Sequence, residues 1–404
     1  MKRGNEFKSS AFIMNPRFNY LPEGDRYLMH RAPAQYRFNV IGTGINGQEH
    51  IANTLLEGRG EIYGVYDPNP GSIEGAKRRN EQYNGRKNLV VYDNLTQACN
   101  DSMVDGLIIC TPNYTHIDII REAVKSGKHI FVEKPMATTM ADAYEMLQIA
   151  ETYEAVFQIG LQYRYKAVYA EALYEILQRQ TIGNVKLASI VEHRIPFLDK
   201  VNQWNKFSEL SGGTLVEKCC HYFDLLNMVA QSRPASVYAS SSQAVNFKEF
   251  EYDSRPSDII DNALVIINYE NGVRANFNLC MFSPMFYEEF VICGDRGRIK
   301  AIEHQSFQPN EGSKSTLEIN LEQHRPSRVS NPSYSNLIST SGHHGATFIE
   351  HINFINNIEG CATDTATAAE GFWSIVVGSA AQESAKTGQI VDINEYLKAN
   401  NIPL

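Results

Sequence analysis

Along residues 36–160, short apolar runs alternate with stretches of helical spacing. The runs are Tyr36–Ile41, Glu61–Tyr66, Leu89–Tyr92, Gly106–Cys110, His129–Val132 and Val156–Ile159. Between them, pairs such as Ile51/Leu55 and Ala52/Leu56, or the set Ile119, Ile120, Ala123 and Val124, recur with the period of a helix face. Near-continuous apolar strands separated by helices predict a doubly wound parallel sheet covered on both faces. Thr139 is placed to cap the helix that follows the fifth run, with Asp142 three residues on.

After residue 160 the pattern changes to longer, alternating strands at Val185–Ile195, Ala235–Val245, Ile259–Tyr269, Val273–Phe282 and Tyr287–Cys293. They predict a second α/β domain with an open, mostly antiparallel sheet. Asn271-Gly272 reads as a hairpin turn with positive φ at both positions. Residues 304–345, rich in Ser, Asn and His, predict loops, and 346–358 and 369–386 predict helices. The expected division is a polar, aromatic arm at 1–35, a dinucleotide-binding domain at 36–160 and a substrate-binding and oligomerisation domain at 161–404. The last helix is expected to pack back toward the first domain.

Composition narrows the partners. A net charge of −9 and a pI near 5.7 argue against nucleic acid. No stretch approaches the roughly 18 apolar residues of a membrane span. The longest apolar run near the start, Ala11-Phe12-Ile13-Met14, is too short for a signal-peptide core. Seven scattered cysteines suggest reduced thiols and a cytoplasmic protein, with the adjacent Cys219 and Cys220 as packing residues.

The chemistry concentrates at strand ends. Gly42-Thr43-Gly44-Ile45-Asn46-Gly47 has G-x-G-x-x-G spacing, follows a strand and opens a helix. That context predicts a turn whose backbone approaches a pyrophosphate at a helix amino terminus. Asp67 ends the second strand, 20 residues beyond Gly47, where a carboxylate accepts from ribose hydroxyls and repels a 2′-phosphate. NAD is therefore expected over NADP, although Arg78 and Arg79 keep NADP open, and Asp67 also fits a plain turn. Thr111, Pro112, Asn113 and His116 follow the fourth strand, either lining the nicotinamide ribose or simply entering a helix. His116 reads more readily as a satisfied helix residue.

Ile130-Phe131-Val132-Glu133-Lys134-Pro135 is the sharper signal, because it puts a lysine at the carboxyl end of a parallel strand, where such sheets bind ligands. Lys134 is expected to meet a substrate hydroxyl. The bland alternative is a surface ion pair made by Glu133. In the second half, Glu217, His221 and Asp224 would share one face of a continuous helix. His221 suits removal of a hydroxyl proton, with Asp224 or Glu217 fixing its tautomer. A charged surface stripe, or a metal held with His193, His343 or His344, competes with that reading, but no recognised zinc spacing is present and no metal is expected. Gln162 and Arg164 leave the first domain where they could reach the cleft, Trp204 offers a flat face for a sugar ring, and His343 could line the cleft.

Together Gly42-x-Gly44-x-x-Gly47, Thr111-Pro112-Asn113, Glu133-Lys134-Pro135 and Gly212-Gly213…His221-x-x-Asp224 resemble the family named after glucose–fructose oxidoreductase, inositol dehydrogenase and the rhizopine catabolism protein MocA (Gfo/Idh/MocA). The resemblance covers residues 36–400. It implies a Rossmann domain plus an open-faced α/β domain whose sheet often joins subunits, here a dimer or tetramer. It also implies NAD(P)-dependent oxidation or reduction of one carbinol of a sugar, glycoside or cyclitol, with Lys134 and His221 on the motif's catalytic positions. Glu217 stands where many members have aspartate, and Cys219 where many have glycine, so the role of Glu217 stays open between acid partner and substrate acceptor. On that basis the first expectation is an NAD-dependent dehydrogenase. The second is an enzyme that retains its cofactor and works through a 3-keto sugar. The third, from another class, is a non-catalytic regulator responsive to NAD or sugar.

Overall fold

The computed structural model describes residues 33–305, 313–361 and 363–403, so the expected arm at 1–35 lies almost wholly outside the described residues. Six parallel strands form the first sheet: β1 (Tyr36–Ile41), β2 (Gly60–Tyr66), β3 (Val90–Val91), β4 (Gly106–Ile109), β5 (His129–Glu133) and β6 (Phe157–Gly160). Their order is β3-β2-β1-β4-β5-β6. Val40, Ile41, Leu107, Ile108, Ile109, Ile130, Phe131 and Val132 are fully buried, because helices cover both faces. The helices are α1 (Ile45–Glu57), α2 (Pro70–Gln82), α3 (Leu95–Asn100), α4 (His116–Ala123) and α5 (Met140–Glu151). Thr139 caps α5, accepting a hydrogen bond from the Asp142 amide at 3.1 Å. The strand order reverses between β1 and β4, and a crevice opens beyond their carboxyl ends.

The second sheet has nine strands: β7 (Val185–His193), β8 (Pro234–Ser242), β9 (Asn262–Tyr269), β10 (Arg274–Cys280), β11 (Phe286–Gly294), β12 (Arg298–Gln305), β13 (Ser313–Asn320), β14 (Arg328–Ser330) and β15 (Val391–Asp392). Their order is β14-β13-β12-β11-β7-β10-β9-β8-β15. Every pairing is antiparallel except β7 with β10. Alternation along β9 sends Ala263, Val265 and Ile267 inward and leaves Leu264 and Ile266 exposed. The inner face packs on α6 (Ala167–Leu173), α8 (Cys220–Ala230) and α10 (Ala368–Thr387).

The carboxyl-terminal helices tie the two halves together. Phe354 and Ile355 of α9 (Ala346–Ile358) join Phe38, Val40, Ile51 and Phe131 in one apolar cluster of the first domain. Thr367 and Glu370 form a capping box at the start of α10, as side chain and backbone satisfy each other across the first turn. All seven cysteines are free thiols, and Cys219 and Cys220 are fully buried. Among the described residues no helix is long and apolar enough to cross a membrane.

Two expectations are corrected. Residues 304–345 hold β13 and β14 rather than loops alone, because polar β13 residues pair with β12 across eight positions and need no apolar run. The hairpin between β9 and β10 has positive φ only at Gly272. The Gly272 amide donates to the Tyr269 carbonyl at 2.9 Å, and the Tyr269 amide to the Val273 carbonyl at 2.9 Å. That is a three-residue loop with glycine in the left-handed position.

Candidate active site

The glycine turn opens the crevice. Gly42 has φ +86°, and a Cβ on Gly47 would lie 2.1 Å from the Gly42 carbonyl oxygen, so the turn and the start of α1 close on each other only with glycines. Gly44 stands at the amino-terminal cap of the 13-residue α1, and among the described residues no cap side chain bonds the first-turn amides. A cradle of this kind, with free amides and no side chain in the way, fits a dinucleotide pyrophosphate.

A cleft of about 750 Å³ runs from this turn to the second domain. Gly42, Gly44, Ile45, Asn46, Asp67, Thr111, Pro112, Asn113, Glu133, Lys134, Trp204 and Glu217 line it. Thr43 and Gly47 shape the turn from behind. The Thr43 amide and hydroxyl donate to Asp67 Oδ2 at 2.7 and 3.1 Å, and the Asn69 amide to Oδ1 at 2.8 Å. Asp67 is thus locked against the glycine turn at the end of β2. Neither Arg78 nor Arg79 lines the cleft.

Lys134 and Glu217 meet across it. Lys134 Nζ donates to the Glu217 carbonyl at 3.0 Å and lies 3.7 Å from its Oε1. Burial opposes the ammonium charge, but Glu217, followed by Cys220, Glu133 and Tyr163, holds its pKa above the ordinary lysine value. Glu217 Oε2 is buried with no hydrogen-bond partner among the described residues, an open acceptor beside the lysine. Glu133 keeps the strand exit rigid: its Oε2 accepts from the Lys134 amide at 3.0 Å, and its Oε1 meets His50 Nε2 at 2.7 Å. His50 Nδ1 in turn lies 2.8 Å from His351 Nε2 on α9.

His221 sits one layer deeper. It is 2% exposed, does not line the cleft, and its ring stacks on Tyr163 at 3.9 Å between centroids and 8° between planes. Its Nδ1 has no hydrogen-bond partner among the described residues. Burial, then the charges of Lys134 and Lys218, push its pKa well below the usual imidazole value. The continuous helix expected here is interrupted: α7 (Thr214–Glu217) and α8 are separated by Lys218 and Cys219.

Asp224 therefore does not serve the imidazole. Its two oxygens accept from Arg164 Nη2 and Nε at 2.6 and 3.0 Å, and Arg164 Nη2 also lies 3.3 Å from Glu370 on α10. Burial raises the Asp224 carboxyl to about 6 against the opposing pull of Arg164. Asp224→Asn is expected to destabilise the fold by about 3 kcal/mol, since it strands the buried Arg164 charge. A denaturant midpoint equal to the parent's would contradict that.

Other candidates have structural duties. Arg164 and Gln162 are buried outside the cleft wall, the first because Asp224 demands its charge. His116 Nδ1 and Nε2 lie 2.9 and 3.0 Å from the Pro135 and Thr111 carbonyls, so it braces two loops. His193 ends β7 beside Tyr287, and His343 Nδ1 pairs with Glu49 at 2.7 Å. Glu49 is half-buried, and His343 brings its carboxyl down to about 2 against the desolvation that opposes it. Periodicity missed Lys200, Asn202 and Tyr163, which stand on short turns with no repeating signal.

The family description "Oxidoreductase family, NAD-binding Rossmann fold" matches residues 36–161, and "Oxidoreductase family, C-terminal alpha/beta domain" matches residues 175–393. The chain belongs to the Gfo/Idh/MocA oxidoreductase family. Myo-inositol 2-dehydrogenase of Thermotoga maritima is 22% identical over 363 residues, covering 89% of this chain and 99% of that protein. A 1,5-anhydro-D-fructose reductase of Ensifer adhaerens is 24% identical over the same coverage. Among solved structures, a levoglucosan dehydrogenase in complex with NADH and levoglucosan superposes with a TM-score of 0.73 at 19% identity, covering 89% of this chain and 99% of that one. At that identity the likeness carries the fold alone.

Proposed function

We propose that the chain is an NAD-dependent dehydrogenase that oxidises a secondary carbinol of a sugar, glycoside or cyclitol. The observation that carries the reading is Lys134 facing the open acceptor Glu217 Oε2 in a cleft that begins at the glycine turn. NAD, when bound, supplies the hydride acceptor. Gly42, Gly44, Ile45 and Asn46 would hold its pyrophosphate, and Thr111, Pro112 and Asn113 lie where its nicotinamide half would extend. Asp67, with no arginine among the described residues of the cleft wall, favours NAD over NADP.

Lys134 stays an ammonium, so it can donate to the substrate oxygen and stabilise developing alkoxide charge but cannot take the proton. The acceptor has to be unprotonated at neutral pH and close by. His221 fits the first need, being held neutral, and its Nδ1 is open among the described residues. Set back from the wall, it is reached through one water or by tightening around substrate. Glu217 and Trp204 orient the ring hydroxyls and face. Glu133, buried against His50 and the Lys134 amide, is engaged in the interior rather than in a plain surface ion pair.

Leu264, Ile266, Tyr238 and Leu187 are exposed on the outer face of the nine-stranded sheet. A second copy of the chain covering this face is the arrangement the family resemblance implies, and light scattering on the purified protein tests it.

The cofactor assignment is tested by denaturing purified protein, assaying the supernatant for nicotinamide, and titrating the protein with NAD and NADP. A clear supernatant with NAD bound at least about tenfold more tightly than NADP fits a freely exchanging dehydrogenase. Cofactor released only on denaturation favours the retained-NAD, 3-keto alternative. Failure to bind either nucleotide overturns the oxidoreductase reading.

A further inference from the structure

Between β7 and α7 the chain crosses from the second domain to the glycine turn. Residues 197–206 are stapled at their base: the buried Lys206 Nζ donates to the Leu198 carbonyl at 3.1 Å and to Asp199 Oδ1 at 3.3 Å. Asn205 Nδ2 donates to the same Leu198 carbonyl at 2.9 Å. Within this closed loop Asn202 and Gln203 both adopt left-handed backbone, at φ 53° and 52°. Two consecutive non-glycine residues in that region are strained, and such strain persists where surrounding contacts enforce it. The loop holds Asp199, Lys200, Val201, Asn202 and Trp204 against the cleft.

Lys200 stands in the cleft beside the start of α1. Its Nζ lies 3.4 Å from Asn46 Oδ1, in the first turn of α1, where the helix presents its positive end. Among the described residues no carboxylate forms an ion pair with it. Burial, with a smaller push from Lys134, lowers its pKa against the opposing pull of Glu217, Glu133 and Glu49. A cation without a direct ion pair, facing the positive end of a helix across a cleft, can take an anion between the two. The helix amides and Lys200 would then close on that anion from two domains.

We propose that residues 197–206 form a strap over the cofactor, with Lys200 as a second-domain cation that clamps the dinucleotide pyrophosphate against the amino terminus of α1. The inference rests on the reading that this cleft binds NAD. It goes further in assigning part of the cofactor's affinity, and the slowness of its release, to the substrate domain. Lys200 is in this account a cofactor-binding residue: it touches the phosphates, not the reacting carbon.

ADP-ribose, which carries the pyrophosphate but no nicotinamide, is the discriminating probe, with adenosine as the control lacking phosphate. Lys200→Gln is expected to weaken ADP-ribose binding by about ten- to a hundredfold, the range for losing one charge-assisted hydrogen bond. Adenosine binding should be unchanged, the salt dependence of ADP-ribose affinity should become shallower, and Lys200→Arg should restore most of the loss. Equal ADP-ribose affinity in parent and Lys200→Gln would overturn the clamp. So would a variant whose only change is a raised KM for the sugar, which would assign Lys200 to substrate. Parent protein that binds neither ADP-ribose nor NAD would instead sink the cofactor reading itself, and is told apart by that result. Matching thermal melts of parent and variants establish that the comparison is between folded proteins.

Discussion

Lys134→Met should lower kcat by about 10²–10³-fold, the effect of removing one preorganised donor from a developing oxyanion. Three features of the site lead to that expectation. The side chain is held by the Glu217 carbonyl at 3.0 Å, so its position is fixed before substrate arrives. The Glu217 carboxylate keeps it charged despite burial. Methionine fills nearly the same volume, so lost activity would report lost charge rather than a cavity. NAD affinity should stay within about threefold of the parent's, because the glycine turn, not Lys134, forms the pyrophosphate cradle. A variant that retains full kcat would remove the lysine from the chemistry.

The second large effect concerns His221. His221→Asn should lower kcat/KM by about 10²–10⁴-fold, the usual contribution of a general base. Its pH dependence follows from the direction of the pKa shift. A base works when unprotonated, and burial together with Lys134 and Lys218 disfavours the imidazolium. The acid limb of kcat/KM should therefore lie below pH 6.5, the ordinary histidine value, and activity should persist into mildly acidic solution. Lys218→Met removes one of those opposing charges and should move the limb upward. Lys218 is itself engaged by Tyr163 and by Glu192 at 3.2 Å, so its removal should be checked for a change in melting temperature. A His221→Asn enzyme with parental rate and an intact acid limb would transfer proton acceptance to Glu217.

These roles were unevenly legible in the sequence. The first sheet could be read strand by strand because its strands are nearly continuous apolar runs, with Val40, Ile108 and Phe131 fully buried. β13 was invisible for the opposite reason: Ser313–Asn320 is mostly polar, and backbone pairing with β12 is what makes it a strand. At the site, Gly42, Lys134 and Glu217 carry signals because turn geometry and strand ends constrain residue type. The Arg164–Asp224 pair carried none. Its partners lie 60 residues apart, and spacing alone suggested a helical stripe with His221. A buried carboxylate needs a cation, but which cation reaches it is decided by tertiary packing. Lys200 likewise lies on a short irregular turn, where neither periodicity nor a motif marks it.

The central claim is hydride chemistry at a carbinol, dependent on Lys134. The most direct test is absorbance at 340 nm with NAD and a panel of inositols, hexoses and glycosides, run beside Lys134→Met. A sustained rise with at least one panel member, abolished in the variant, is the predicted result. No rise with any of them, in protein that binds NAD and carries no retained cofactor, would contradict the account. An equal rise in parent and variant would contradict it as well.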